Sequence, residues 1–356
     1  MSDMSIGDRT GARRLEDPVT EQESIDALLR AGDLLTPIVV RTASTLGVTD
    51  HFGDDPLRAE DVAERLSMPV DPIRRLLDAL VEAGVLARTD VNAYTLTDVG
   101  RVLRRDHPLS MRDAFGMAIT EMRAWTQLEH CVRTGGSGFE RAYGESHRRF
   151  RAAHLDEDAR MDRAHQAATR LDLLTLARAY PWDEVRTVVD IGGGTGMLLA
   201  GILSRSPHLQ GTLFDLPRMV VNAPEILERY AIADRCQIVG GDFFVDVPAG
   251  ADLYIMKAVV GGWDEASCVR ILSTVRRAMR ADSRLVLIEP IMGAGSEFSK
   301  ANVVQVQSLV LYGGRDRTID DYRALAHAAG LAIRRIIKRA TLPIVEFEPI
   351  DAPTPA

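Results

Sequence analysis

The chain has 356 residues, 46% of them hydrophobic and 26% charged, an ordinary globular composition with room for two domains and a large core. Its net charge of −8 disfavours a nonspecific nucleic-acid binder, no apolar run is long enough to span a membrane, and no signal peptide opens the sequence. Cys131, Cys236 and Cys268 stand far apart, with neither metal-ligand nor disulfide spacing, so a reducing cytoplasm fits and no metal site is expected.

Residues 1–19 are polar and read as a flexible tail. Thr20 and Glu23 form a capping-box pattern ahead of a long helix through Leu28, Leu29, Leu34, Leu35 and Val39 to Gly47. That helix is apolar on more than one face, as a helix buried between the subunits of a homodimer would be. Two short helices follow, Ala59 to Leu66 and Asp71 to Ala83, with Asp71 as a cap and Pro72 in the first turn of the second. Small strands at 85–87 and 94–96, and a helix from Asp98, complete a winged-helix pattern over residues 20–105. The helix that would read DNA carries Asp71, Asp78 and Glu82 against Arg74 and Arg75. A groove-reading helix must meet phosphates with positive charge, so the module reads as a dimerisation domain and not as a nucleic-acid binder.

Residues 106–180 read as several helices, a linker and substrate cap. Trp125 and Leu128 can share a core, and 135–138 is a loop. His147, Arg148, Arg149, Arg151 and His154 crowd the next segment, where a solvated helix face is the expected outcome. From Val185 strands alternate with helices, at 186–191, 211–215, 236–240, 252–257 and 284–288. A last pair, 332–337 and 342–348, is too close in sequence for a crossover helix and must be an antiparallel hairpin, with an irregular start at Pro343. The expected fold class is α/β, a doubly wound sheet over residues 181–348 with a C-terminal hairpin; 349–356 form a second flexible tail.

The sheet is organised around Thr187 to Gly196, TVVDIGGGTG. Strand, glycine turn and helix make the ligand-approach unit of such a sheet. The dinucleotide fingerprint G-x-G-x-x-G is absent, because Met197 takes its last position. Instead Gly192, Gly194 and Gly196 alternate, with Asp190 ahead of them, and a carboxylate there suits a cationic amino-acid end better than a pyrophosphate. The turn therefore points to S-adenosylmethionine (SAM). Ligands of these sheets bind at the carboxyl ends of the strands. Asp215, about 20 residues past the turn, can take ribose hydroxyls. Asp242 can accept from an adenine amino group, and the Phe243 ring can lie against the base. Lys257, with Trp263 six residues on, and Glu289 end the next two strands.

Taken together, VVDIGGGTG, FDLP (214–217), GDFF (241–244), MKAVVGGWDE (256–265), IEPI (288–291) and GGRDRT (313–318) resemble the SAM-dependent small-molecule O-methyltransferases. These are the plant caffeate-type enzymes and the bacterial enzymes that tailor aromatic polyketides and antibiotics. The resemblance covers about residues 22–346. It implies a class I methyltransferase sheet and an intertwined dimer through the winged helix. It also implies that the Gly192 turn holds the methionine part of SAM, Asp215 the ribose, and Asp242 and Phe243 the adenine, with Lys257 and Trp263 bordering the cofactor.

Three departures stand out. The family usually reads LKHxLHDW, whose second histidine deprotonates the substrate hydroxyl; its position here is Gly261, which has no group to accept a proton. The carboxylates that orient that histidine fall at Glu289 and Asp316. Where members often carry Phe-Trp after YG(x)x, this chain has His147 and Arg148. On the helix over the cofactor, where a methionine is usual, His165 falls in register, which makes it the first candidate for a substitute base, with Glu289 and Asp316 behind it. The expectation is methyl transfer to a small aromatic or polycyclic acceptor, on O, N or C, driven by positioning. A SAM-retaining hydroxylase, decarboxylase or cyclase is the alternative, the sulfonium charge then stabilising a carbanion or enolate. A noncatalytic dimer is a distant third.

Overall fold

The structure, a computed structural model, describes residues 18–292, 301–314, 317–338 and 342–350. They fall into two units, one ending at Arg101 and the other starting at Val102.

In the first unit, α1 (Pro18–Ala31) and α2 (Leu35–Leu46) replace the single long helix expected from the sequence. The Asp33 carboxylate causes the break. Its Oδ1 accepts the N–H groups of Leu35 at 2.9 Å and Thr36 at 3.2 Å, which starts a fresh helix. Because α1 begins at Pro18, Thr20 lies inside it and not at its cap. Leu28, Leu29, Leu34 and Leu35 are each at least 68% exposed. Next come β1 (Leu57–Arg58), α3 (Ala59–Leu66), α4 (Val70–Glu82), β2 (Leu86–Asp90), β3 (Ala93–Leu96) and the single turn α5 (Asp98–Arg101). Helix α4 starts ahead of Asp71, which pairs with Arg75 at 2.8 Å instead of capping. The wing has three strands in the order β1-β3-β2, all antiparallel; β1 is too short to leave a sequence signal.

The second unit opens with the cap helices α6 (Ile119–Trp125), α7 (Leu128–Thr134), α8 (Gly138–Tyr143), α9 (His147–Ala153) and α10 (Leu155–Ala179). The sheet follows: β4 (Thr187–Ile191), α11 (Met197–Leu203), β5 (Gln210–Asp215), α12 (Ala223–Arg229), β6 (Cys236–Gly240), β7 (Leu253–Lys257), α13 (Glu265–Ala278), β8 (Arg284–Ile288), α14 (Ala301–Tyr312), α15 (Ile319–Ala328), β9 (Leu331–Ile337) and β10 (Ile344–Pro349). The strand order is β6-β5-β4-β7-β8-β10-β9. The first five run parallel, and β10 is antiparallel to both β8 and β9. The hairpin is therefore as expected, with β10 starting just past Pro343.

Near-continuous apolar strands such as Leu253–Met256 are what a sheet covered on both sides requires. Leu173 and Leu176 of α10 join Leu198, Leu199 and Ile202 of α11 in one core layer. Ile271, Leu272 and Val275 of α13 join Leu325 of α15 in the other. Helix α14 packs Val310 and Leu311 against Ala124, Cys131 and Phe139 of the cap, with Trp125 and Leu128 on the same cluster. The switch point of the sheet falls between β4 and β7, the place where a doubly wound fold opens its ligand crevice.

Candidate active site

Strand β4 delivers Asp190 to the foot of the glycine turn, where it is only 1% exposed. A Cβ on Gly193 would lie 2.6 Å from Asp190 Oδ2, so the turn closes directly over this carboxylate. Oδ2 has no hydrogen-bond partner. Burial, helped by the Asp215 charge and opposed by Lys257, pushes the Asp190 carboxyl up to about 7. Gly194 has φ +58° and open space where a Cβ would project, so the turn leaves its outer side clear for a ligand. Its N–H donates to Asp215 Oδ2 at 2.8 Å, while Asp215 Oδ1 accepts from Leu216 N–H at 2.7 Å. Backbone alone thus fixes the carboxylate at the end of β5. Burial raises the Asp215 pKa despite those two bonds.

At the end of β6, Asp242 is exposed and its Oδ1 accepts the N–H of Phe244 at 2.9 Å. The Phe243 ring stands edge-on to Trp263, with centroids 6.0 Å apart, and Phe244 does the same at 4.8 Å. At the end of β7, Lys257 reaches across to α10, pairing with Asp172 at 2.9 Å and donating to Thr169 at 3.2 Å. His165 is on the same helix. It is open to solvent, yet protein crowds it closely enough that burial, with Arg151 and Lys257, pushes its pKa down to about 4. Exposed to water but hemmed in by protein is the signature of a side chain lining a cleft.

The turn from Lys257 to Trp263 carries no base, but almost all of its backbone is engaged. Glu289 Oε1 accepts the N–H groups of both Val259 and Val260 at 2.8 Å. Arg317 donates to the carbonyls of Val260 at 3.3 Å and Trp263 at 2.5 Å. Arg148 of α9 donates to the Gly262 carbonyl and lies over the Trp263 ring, 3.5 Å from its centroid. Glu289 is 1% exposed, and burial pushes it up to about 7 against the pull of those backbone N–H groups. A Cβ on Gly261 would lie 3.0 Å from Glu289 Oε2 and 3.9 Å from the Tyr322 hydroxyl.

The basic segment at 147–154 departs from the solvated face expected of it. His147 is 2% exposed, edge-on to Phe139 and Tyr312, with Nδ1 unpartnered. Burial, with the charges of Arg151 and His165, pushes its pKa down to about 4. Arg151 pairs with Asp158 at 2.5 Å and Asp162 at 3.0 Å, the exposed His154 stacks on Phe150, and Arg149 faces solvent with only a loose pairing to Glu145 at 3.6 Å. The pairing acids lie one and two turns into α10, where an i, i+4 reading of α9 alone could not find them.

The strand-end residues Asp190, Gly192, Gly194, Asp215, Asp242, Phe243, Lys257, Trp263 and Glu289 all come to the carboxyl side of the sheet. Asp316 lies outside the described residues. Arg317, next to it, went unremarked in the sequence and ties down the turn after β7; nothing in the residue type or spacing marks that role. A cavity of about 490 Å³ lined by Thr187, Gln210, Cys236 and Pro248 opens at the amino ends of β4 to β6, the wrong end of a doubly wound sheet for its ligand.

The residues present fit SAM. The turn is open above Gly194, an orphaned carboxylate oxygen of Asp190 lies beneath it to face a cation, and Asp215 is held ready at the next strand end. No group of His, Cys, Asp and Glu among the described residues could hold a metal ion. Fold and site together define a SAM-dependent methyltransferase. The O-methyltransferase domain family matches residues 125–332, and the O-methyltransferase dimerisation domain matches residues 30–106. The chain is 34% identical to the phenazine O-methyltransferase PhzM of Lysobacter antibioticus, over 86% of this chain and 91% of that one. It is 32% identical to the aclacinomycin 10-hydroxylase RdmB of Streptomyces purpurascens, over 93% of this chain and 92% of that one. Among solved structures, NcsB1 from neocarzinostatin biosynthesis, in complex with SAM and 2-hydroxy-5-methyl naphthoic acid, superposes with a TM-score of 0.75 at 32% identity, covering 90% of this chain and 98% of that one. The chain belongs to the O-methyltransferase family.

Proposed function

We propose that the protein methylates a small aromatic or polycyclic acceptor of secondary metabolism and that it does so without a histidine base. The observation that carries this reading is the turn after β7. At the family's base position stands Gly261, and the neighbouring carboxylate Glu289 is committed to the backbone of Val259 and Val260. Bound SAM supplies an electrophilic methyl group on a sulfonium. The protein's part is to hold an acceptor in line with that methyl and to exclude water, and positioning of this kind supplies much of a transfer rate. Asp215 then takes the ribose, Asp242 and Phe243 the adenine, and Asp190 sets a negative charge beneath the methionine end. Lys257 and Trp263 border the cofactor, Glu289 braces the turn between them from beneath, and His165 lines the acceptor side. The naphthoic acid bound by NcsB1 supports a fused aromatic ring as the acceptor frame.

The 10-hydroxylase relative keeps the alternative of a SAM-retaining, non-methylating enzyme in play. Incubation with SAM and candidate hydroxylated aromatics, followed by mass spectrometry, decides between them. S-adenosylhomocysteine formed in step with a product heavier by one methylene supports methyl transfer, whereas acceptor consumed without it supports the alternative.

We also propose that the enzyme works as a cytoplasmic homodimer through α1 and α2, whose exposed leucines would otherwise face water. A monomeric mass by light scattering at micromolar concentration would refute the dimer. On α4, Arg74 pairs with Glu60 at 2.7 Å and Arg75 with Asp71, which supports the absence of a nucleic-acid partner. No helix among the described residues is long and apolar enough to cross a membrane, and the three cysteines are free and buried.

A further inference from the structure

Three features of the acceptor side belong together. First, Arg148 stands where the family often has an aromatic residue, and it pairs with no carboxylate among the described residues. Two other arginines of the cap are neutralised: Arg151 by Asp158 and Asp162, Arg160 by Glu121 and Glu157. Second, the guanidinium is seated with care. It lies flat enough over Trp263 to be 3.5 Å from the ring centroid, is 5.8 Å from that of Tyr312, and donates to the Gly262 carbonyl. Third, a Cβ on Gly262 would lie 2.7 Å from Arg148 Nη2, so any side chain at 262 would push the guanidinium from this seat. The departure at 148 therefore touches the turn that carries the departure at 261: the guanidinium lies against Gly262, while the space beside Gly261 faces Glu289 and Tyr322.

The setting favours an anion. Arg148 is exposed to solvent, and so reachable by a ligand, yet crowding by protein lowers its pKa through desolvation. One hydrogen bond to a carbonyl leaves the other donors of the planar fork unassigned. Beside it on α9, the buried Nδ1 of His147 also has no partner. Both histidines of the cleft, His147 and His165, are held neutral at pH 7, so Arg148 is the unpaired charge among these groups. A neutral hydrocarbon acceptor would leave that charge desolvated without return.

We propose that Arg148, seated on Trp263 and on the Gly262 carbonyl, is the substrate-recognising cation of this enzyme and takes an oxyanion of the aromatic acceptor. The inference rests on the methyltransferase reading of the site. The oxyanion is either a carboxylate beside the acceptor hydroxyl or the ionised hydroxyl itself. In the second case the proton is already in water before transfer begins, which is one way to work without a base.

The test uses the full chain loaded with S-adenosylhomocysteine. Calorimetry reads the binding of 3-hydroxy-2-naphthoate, its carboxamide, and 4-nitrophenol below and above its ionisation. A carboxylate source predicts that the acid binds about tenfold or more tighter than the amide; an ionised-hydroxyl source predicts the same ratio between nitrophenolate and nitrophenol. In either case the ratio should fall to about one in Arg148→Met, should survive in part in Arg148→Lys, which keeps charge but not the fork, and should fall in Gly262→Ala, which displaces the guanidinium. Affinity for S-adenosylhomocysteine should stay within about threefold in all three variants. Wild-type protein that binds no anion better than its neutral partner, or an anion preference unchanged in Arg148→Met, overturns the inference. Equal loss of acid and amide binding in Arg148→Met also overturns it, since that marks a packing role. Failure of wild-type protein to bind S-adenosylhomocysteine overturns the methyltransferase reading instead, so the two failures are distinct.

Discussion

The cofactor side and the acceptor side of this cleft satisfy their polar groups in opposite ways. Around the glycine turn, carboxylates are held by backbone: Asp215 by Gly194 and Leu216, Asp242 by Phe244, and Glu289 by Val259 and Val260. Their geometry is set by the strand ends and does not depend on neighbouring side chains. On the cap, side chains are held by other side chains, as in the Arg151 and Arg160 pairs, and several buried polar atoms have no partner at all. A site fixed by backbone can bind the same cofactor through much sequence change. A site fixed by side chains, with polar groups left open, can change its acceptor by a few substitutions. The difference assigns cofactor binding to the sheet and selectivity to α9, α10 and α14.

The sharpest test of that division is an ion pair between the two sides, Lys257 with Asp172. Lys257→Met leaves an acid on α10 that is only 13% exposed without its cation. Stability should fall by about 3 kcal/mol, read from the midpoint of urea unfolding. Adding Asp172→Asn should restore much of that loss, and additive effects in the double variant would show the pair to be uncoupled. A smaller effect is expected within the cofactor side. Asp215→Ala removes an acceptor from the Gly194 and Leu216 N–H groups as well as from the ribose. It should weaken SAM binding by about 1–3 kcal/mol by calorimetry; unchanged affinity would move the ribose elsewhere.

The buried acids give the cofactor side a pH signature. Asp190 and Glu289 both titrate near about 7 in the folded, ligand-free protein, well above an ordinary carboxylate. A carboxyl whose folded pKa is raised holds its proton longer in the fold than in the unfolded chain. Stability of the free protein should therefore decline as pH rises from the ordinary carboxylate range through about 7. A cationic ligand has the opposite preference, because it favours the ionised Asp190. SAM affinity should rise about tenfold between pH 6 and pH 8 if one such group is released on binding. Asp190→Asn should flatten that dependence, while Lys257 keeps its partner Asp172. An affinity independent of pH in the wild type would show that SAM does not sense Asp190.

The same contrast explains what could be read from the sequence. Strand positions came through within two residues, because apolar runs ending in Asp190, Asp215, Lys257 and Glu289 are local signals of a covered parallel sheet. The break at Asp33 was missed because an apolar stripe continues across it, and a capping bond of two or three residues' reach outweighs the stripe. The cap was misread more seriously. His147, Arg148 and Arg151 look like a solvated basic face, since their partners, Tyr312, Gly262, Trp263 and Asp162, lie up to about 165 residues away. No periodicity in α9 reports a contact with the turn after β7. Only the departures at 148 and 261 hinted at a change there, and the structure was needed to show that Arg148 meets the carbonyl of the next residue, Gly262.

The smallest expected effect concerns the missing base. His165 is the proposed acceptor-side histidine, but an imidazole pushed down to about 4 holds a proton too weakly to draw one efficiently from a hydroxyl at neutral pH. General bases typically contribute about 10²- to 10⁴-fold, so a substitute base would be easy to see. His165→Ala should lower kcat less than about tenfold, and the pH–rate profile of the wild type should lack a limb that this variant abolishes. Gly261→His restores the family's side chain 3.0 Å from Glu289 Oε2, measured at its Cβ, beside a turn whose neighbouring carbonyl already holds Arg148. Glu289 Oε1 is fixed by Val259 and Val260, and Oε2 at 3.0 Å from the new Cβ leaves the ring little room to swing into place, so the rate should change by no more than about threefold. A fall beyond about a hundredfold in His165→Ala, with SAM affinity intact, would make His165 the base after all. A gain of about tenfold or more in Gly261→His would show that proton removal limits the natural enzyme. Either result would shift catalysis from the geometry of the acceptor side to its proton chemistry.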